Sequence, residues 1–283
     1  MRKTMILAGT VLVFGLVFLG CGDGGGESVN NPPPPAPGAD ELSLTGRVYT
    51  MTFDRGASPT FTPFPTGQSR TVTTGLGATG AIANGQLSFT IGTPSTLWPI
   101  ESGLELWFGA EEYVTFYPSS AQVAELWLAG GSDALDLEHH SGSTRGNSFN
   151  QERVSRRHIF VDRDVTIRLA QDRPGTWEDV ENGFSFSETY TVRAFTLTLR
   201  QGWNVVHYRV VMTGTFVGSV ANPTSVTMVS TITLSTADPG RQLRWILDEW
   251  DWNDYSETLE LSRGALPRSF GTSPFRARRG AWE

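Results

Sequence analysis

The chain has 283 residues, with 22 basic and 29 acidic side chains and a formal net charge of −7. That acidic balance argues against nucleic-acid binding, which needs a basic footprint. Beyond residue 20 there is no lysine, which excludes Schiff-base and P-loop chemistry; the single cysteine, Cys21, excludes an internal disulfide or a thiolate cluster.

The N-terminus opens on Met1-Arg2-Lys3, runs through an apolar stretch from Met5 to Leu19 and reaches Phe18-Leu19-Gly20-Cys21. The apolar run is short for a membrane span, and Gly22-Asp23-Gly24-Gly25-Gly26 behind it carries no basic stop-transfer flank. This segment resembles the signal peptide and lipobox of bacterial lipoproteins, with Phe18 where that family most often has leucine. The resemblance implies that residues 1–20 are removed, that the Cys21 thiol is lipidated and that its new amino group is fatty-acylated, as with palmitate. Two or more acyl chains hold a protein at a membrane where one does so only marginally. Gly22, rather than aspartate, follows the cysteine, which in the family's sorting rule points to the outer membrane or cell surface rather than the inner membrane.

Residues 21–40, with the glycine run and Pro32-Pro33-Pro34-Pro35, have the composition of a tether. Its full stretch is about 65 Å at the usual rise per residue. From Glu41 the hydrophobic period is two, beginning with Leu42, Leu44 and Val48, and a Pro-rich loop from Ala57 to Pro65 interrupts it. Asn84-Gly85 predicts a two-residue hairpin turn, followed by a strand alternating at Leu87, Phe89 and Ile91. Further strands are predicted over 104–108, 112–117 and 123–128, then a long polar loop over 130–152. His158–Val161 and Val165–Leu169 flank a tight Asp162-Arg163-Asp164 turn.

The longest β signal runs from Phe184 to Met212. Its buried parity changes between Val192 and Phe195, which predicts a β-bulge near Ala194. Gln201-Gly202 predicts a turn, and Val226, Met228, Ile232 and Leu234 mark one more strand. Asp238-Pro239-Gly240 has the form of a helix start, and Leu243, Ile246, Leu247 and Trp250 share a helical face, although a strand over 243–252 stays open. Residues 263–283 lack any period and are read as a flexible tail. The expected architecture is all-β, an antiparallel β-sandwich over residues 41–262 with one short C-terminal helix as an option, forming one domain or two β subdomains. Asn84-Gly85-x-Leu87-x-Phe89 and Leu199-x-x-Gly202-Trp203-Asn204-x-Val206 resemble hairpins of uncharacterised β-sandwich lipoproteins of bacteria, which supports the fold class and implies no activity.

Three constellations carry candidate chemistry. Asp133, Asp136, Glu138, His139 and His140 are metal-ligand types, but no H-E-x-x-H or similar spacing exists and adjacent histidines in a strand face apart, so they are read as a polar loop with no metal. Asp162-x-Asp164 lacks the rest of a calcium loop and is read as a turn. The segment 245–255 supplies Trp245, Trp250 and Trp252 with Asp248 and Asp251, ring faces and carboxylates suited to a carbohydrate platform. No Gly-x-Ser-x-Gly elbow occurs, and His158 and His207 sit in strand-like runs as structural residues. No catalytic residue and no cofactor is assigned. The expected role is a lipid-anchored envelope protein with a non-enzymatic structural or interaction function; the alternatives are a carbohydrate-binding lipoprotein using 245–255 and a glycoside hydrolase-like enzyme. Expected partners are the membrane through Cys21 and a glycan or envelope protein.

Overall fold

The computed structural model describes residues 38–52, 60–104, 113–131, 133–181, 184–219 and 222–248. Residues 1–37, which include Cys21 and the expected signal segment and most of the expected tether, lie outside them, as do Trp107, Trp250, Asp251, Trp252 and residues 263–283. The fold is all-β and sandwich-like, mostly antiparallel, as the period-two pattern predicts. A single helical turn, α1 (Ile100–Gly103), is the one helix among the described residues.

The first five strands are β1 (Leu42–Thr52), β2 (Thr60–Pro63), β3 (Ser69–Thr73), β4 (Thr79–Ala83) and β5 (Gln86–Ile91). Asn84 and Gly85 take φ of 52° and 76° between β4 and β5, the positive pair that an Asn-Gly hairpin turn needs. The predicted loop from Ala57 to Pro65 is partly strand, since β2 pairs with β1. Next come β6 (Trp98–Pro99), β7 (Val114–Tyr117), β8 (Gln122–Glu125) and β9 (Leu128–Gly130). The polar loop predicted over 130–152 is instead a long hairpin of β10 (Asp133–Arg145) and β11 (Ser148–Val161), in register from Leu137↔Arg156 to Arg145↔Ser148. Its polar composition misled because much of its burial is polar.

The remaining strands are β12 (Val165–Leu169), β13 (Arg173–Glu181), β14 (Phe184–Val192), β15 (Phe195–Leu199), β16 (Gly202–Ser219), β17 (Asn222–Ser235) and β18 (Arg244–Asp248). One sheet runs β13-β14-β17-β16-β11-β10-β18-β1-β5-β4-β3-β9, and β9 returns to pair with β10. The strands from β10 to β9 therefore form a closed ring. A small sheet, β15-β12-β7, stands apart from it in pairing.

No bulge forms at Ala194. There the chain passes from β14 in the large sheet to β15 in the small one, with the Ala194 amide donating to Asp172 Oδ1 at 2.7 Å. The parity change lets Val192 and Leu197 point into the same core from different sheets. The helical option at 243–252 is also corrected, because Arg244–Asp248 is strand β18, parallel to β1 and antiparallel to β10. Leu243, Trp245 and Leu247 fill the core of the ring while Ile246 packs with Met51 on the other side. A strand with apolar residues on both faces has lost its period-two contrast, so helical spacing appears by coincidence. Asp238, read as a helix cap, accepts the Gly240 amide at 2.8 Å in a local turn.

Two hydrophobic clusters lie on opposite faces of β11 and β16. Val154, Phe160 and Trp203 join the ring core, whereas Phe149, Ile159, Val161 and Val206 join the core shared with the small sheet. Trp203 is fully buried, meets Phe160 edge-on at 5.5 Å, and donates from Nε1 to the Gly92 carbonyl. Residues 38 and 39 dock beside it, since the Gly38 amide donates to Trp203 O and the Trp203 amide to Ala39 O. A Cβ on Gly202 (φ 101°) would stand 2.6 Å from the Gly38 carbonyl oxygen, so this close approach requires glycine.

Candidate functional site

The polar residues that come together do so where the large sheet splits. Along one edge of β11, β10 pairs up to Arg156 and β8 takes over from Ile159. Between them β11 borders the Leu126–Leu128 segment, with the Leu126 amide donating to His158 O at 2.9 Å. A cavity of about 20 Å³ sits at this split, lined in part by Trp127, Asp136, Arg156, Arg157, His158 and Trp245. That volume holds about one water molecule and is far below a sugar ring or a drug-sized ligand.

Strand alternation sorts the charged residues to the two faces. On one face β10 presents Asp136, Glu138 and His140, and β11 presents Arg153 and Arg157. Arg153 donates from Nε to both Glu138 oxygens at 3.1 Å, with a further short Nη2 contact, and His140 Nε2 lies 2.7 Å from Glu138 Oε2. Burial alone would raise the Glu138 carboxyl, but Arg153 and His140 outweigh it and hold the group well below the carboxylate range. Burial, with Glu138 nearby, pushes Asp136 the other way. Arg157 donates from Nη1 to Glu125 at 3.2 Å and lies over the Trp127 ring at 4.3 Å. Further along this face, burial raises both the Glu188 carboxyl and the Tyr208 hydroxyl.

The opposite face of β11 carries Arg156 and His158, with His207 across on β16. Arg156 Nε donates to His207 Nε2 at 3.3 Å, and His158 stacks on Trp245 with ring centres 6.5 Å apart. Among the described residues His158 Nε2 has no hydrogen-bond partner. Burial, reinforced by Arg156 beside them, pushes His158 down to about 3 and His207 down to about 4. Both are neutral at neutral pH, which allows His207 to accept from a guanidinium.

The five residues read as a polar loop separate accordingly. Asp136, Glu138 and His140 share a face; His139 turns away, with Nδ1 3.1 Å from Gln242 O; Asp133 pairs with Arg70. Among the described residues no group of three His, Cys, Asp or Glu side chains is placed to hold a metal ion. Asp162 and Asp164 form the predicted turn, their carboxylates accepting the Gln122 and Gln201 amides at 2.7 and 2.9 Å.

Of the carbohydrate candidates, Trp245 is 3% exposed and donates from Nε1 to Thr45 O at 3.2 Å. It presents no ring face to a sugar. Asp248 ends β18, and Trp250, Asp251 and Trp252 lie outside the described residues. Sequence reasoning missed Arg153, Arg156, Arg157, Glu125 and Glu188 as members of buried polar sites. The one signal was the charge density of Arg153-Val154-Ser155-Arg156-Arg157 directly before the apolar His158–Val161 run.

Compared with known proteins, the chain matches no protein family, no curated protein and no solved structure. The functional reading therefore rests on its own residues.

Proposed function

We propose that this protein is a lipid-anchored module of the cell envelope, at the outer membrane or cell surface, with a structural or interaction role rather than a catalytic one. The observation that carries the reading is Phe18-Leu19-Gly20-Cys21 followed by a Gly/Pro-rich segment that joins the fold at Gly38. What supports a non-catalytic role is the state of the acid–base residues. Glu138, Glu125 and Asp133 are each tied to an arginine, and the cavity beside Asp136 has room for water alone.

Metabolic labelling with an alkyne fatty acid, followed by membrane fractionation of the full chain, tests the anchor. Wild type should carry label and sediment with membranes, and Cys21→Ala should lose both. A Cys21→Ala chain that still sediments with membranes would overturn the reading.

A further inference from the structure

The large sheet ends on β13, whose one strand neighbour among the described residues is β14. Among the described residues nine residues of backbone thus present an open edge, the feature that templates pairing with another chain. Natural edges are commonly guarded by charged side chains, above all lysine, and by proline; β13 has Pro174 and the charged Arg173 and Glu178 but no lysine. It also carries Val180, 78% exposed, and a half-buried Trp177 at its middle that packs on Phe186 at 4.7 Å. Pro174 shows which amides face outward. Proline enters an edge strand where its missing N–H would have pointed away from the sheet. Residues of the same parity, Thr176, Glu178 and Val180, accordingly direct their amides to the open edge.

We infer that β13 pairs antiparallel with β13 of a second copy, about a two-fold axis through Trp177. In that register Val180 faces Pro174, Thr176 faces Glu178 and Trp177 faces itself. No like charges stand directly opposite each other. Moving the axis to residue 178 sets Glu178 against Glu178, and moving it to residue 176 sets Pro174 against Glu178; both lose the apolar pair at the ends. The contact is small by the standard of stable interfaces, so its affinity is modest, and tethering on one membrane would raise its occupancy. The inference deepens the interaction reading by naming the partner, and rests on that reading only for this crowding.

Light scattering of the full chain in detergent, at about 100 μM to match a modest contact, should give the mass of two chains. Thr176→Pro removes an outward donor from each copy, and Val180→Lys places a charge against Pro174 at a position too exposed to disturb folding. Each should weaken association at least tenfold and return the mass of one chain. On oxidation, a Thr176→Cys, Glu178→Cys double variant should cross-link to a dimer, unlike Glu178→Cys alone or the unsubstituted chain with its Cys21. A monomeric wild type, or a dimer indifferent to both Thr176→Pro and Val180→Lys, would overturn the pairing and leave the anchor standing. Failure of the Cys21→Ala test would do the reverse.

Discussion

The two faces of β11 bury charge-bearing residues in opposite ways. On one, Arg153 and Glu138 are both ionised and bonded to each other; on the other, Arg156 reaches His207, His158 stacks on Trp245, and both histidines are held neutral. The first face keeps its charges by pairing them, and the second sheds two by holding its histidines neutral. The same strand thus shows both routes by which a low-dielectric interior tolerates titratable groups.

The largest expected effect comes from breaking the paired face. Arg153→Leu leaves the buried Glu138 carboxylate without its guanidinium, with His140 still beside it, and should cost about 3–5 kcal/mol in denaturant unfolding. Adding Glu138→Leu should recover much of that loss, since the stranded charge is then gone. A double variant as unstable as Arg153→Leu would show that the pair stabilises by more than mutual compensation.

The neutral face should appear in the pH dependence. His158 and His207 titrate near 6.5 when unfolded but at about 3 and about 4 when folded, so the unfolded chain binds more protons in between. Stability from this face is complete above about pH 6.5 and falls as pH drops towards 4, by up to about 1.4 kcal/mol per unit for each histidine. Glu138, held low, adds loss below the ordinary carboxylate range, whereas Asp136 and Glu188, held high, oppose it. His158→Gln should flatten the slope between pH 6 and 5 relative to wild type, since the carboxylates are common to both chains. An unchanged slope there would mean that His158 is not held neutral by its surroundings.

Smaller changes sharpen the contrast. Trp245→Phe keeps a ring beside His158 but loses the bond to Thr45 O, and should cost about 1 kcal/mol in unfolding. Chelator should leave the melting temperature unchanged. A drop of several degrees would make the Asp136, Glu138, His140 face a metal site.

Much of the fold was legible in the sequence because period two reports a strand with one wet face. Leu87, Phe89 and Ile91 alternate in β5 as read, and Asn84-Gly85 turns as read. The misreadings fell where that contrast is lost. β18 is apolar on both faces and mimicked a helix; the β10–β11 hairpin buries polar side chains and mimicked a loop; the parity change at Ala194 marks a passage between sheets. Of the candidate site, residue types were visible but partners were not. Arg153 lies 15 residues from Glu138, and Arg156 lies 51 from His207.

By itself the sequence determined the all-β class and the Asn-Gly hairpin. Those depend on residue type and local spacing. Only the tertiary structure decided that β18 closes the ring between β1 and β10, that Trp245 is buried, and which charges pair or are shed. Alternation says that a side chain leaves the strand on a given face. What waits on that face is set by pairings between strands far apart in the chain.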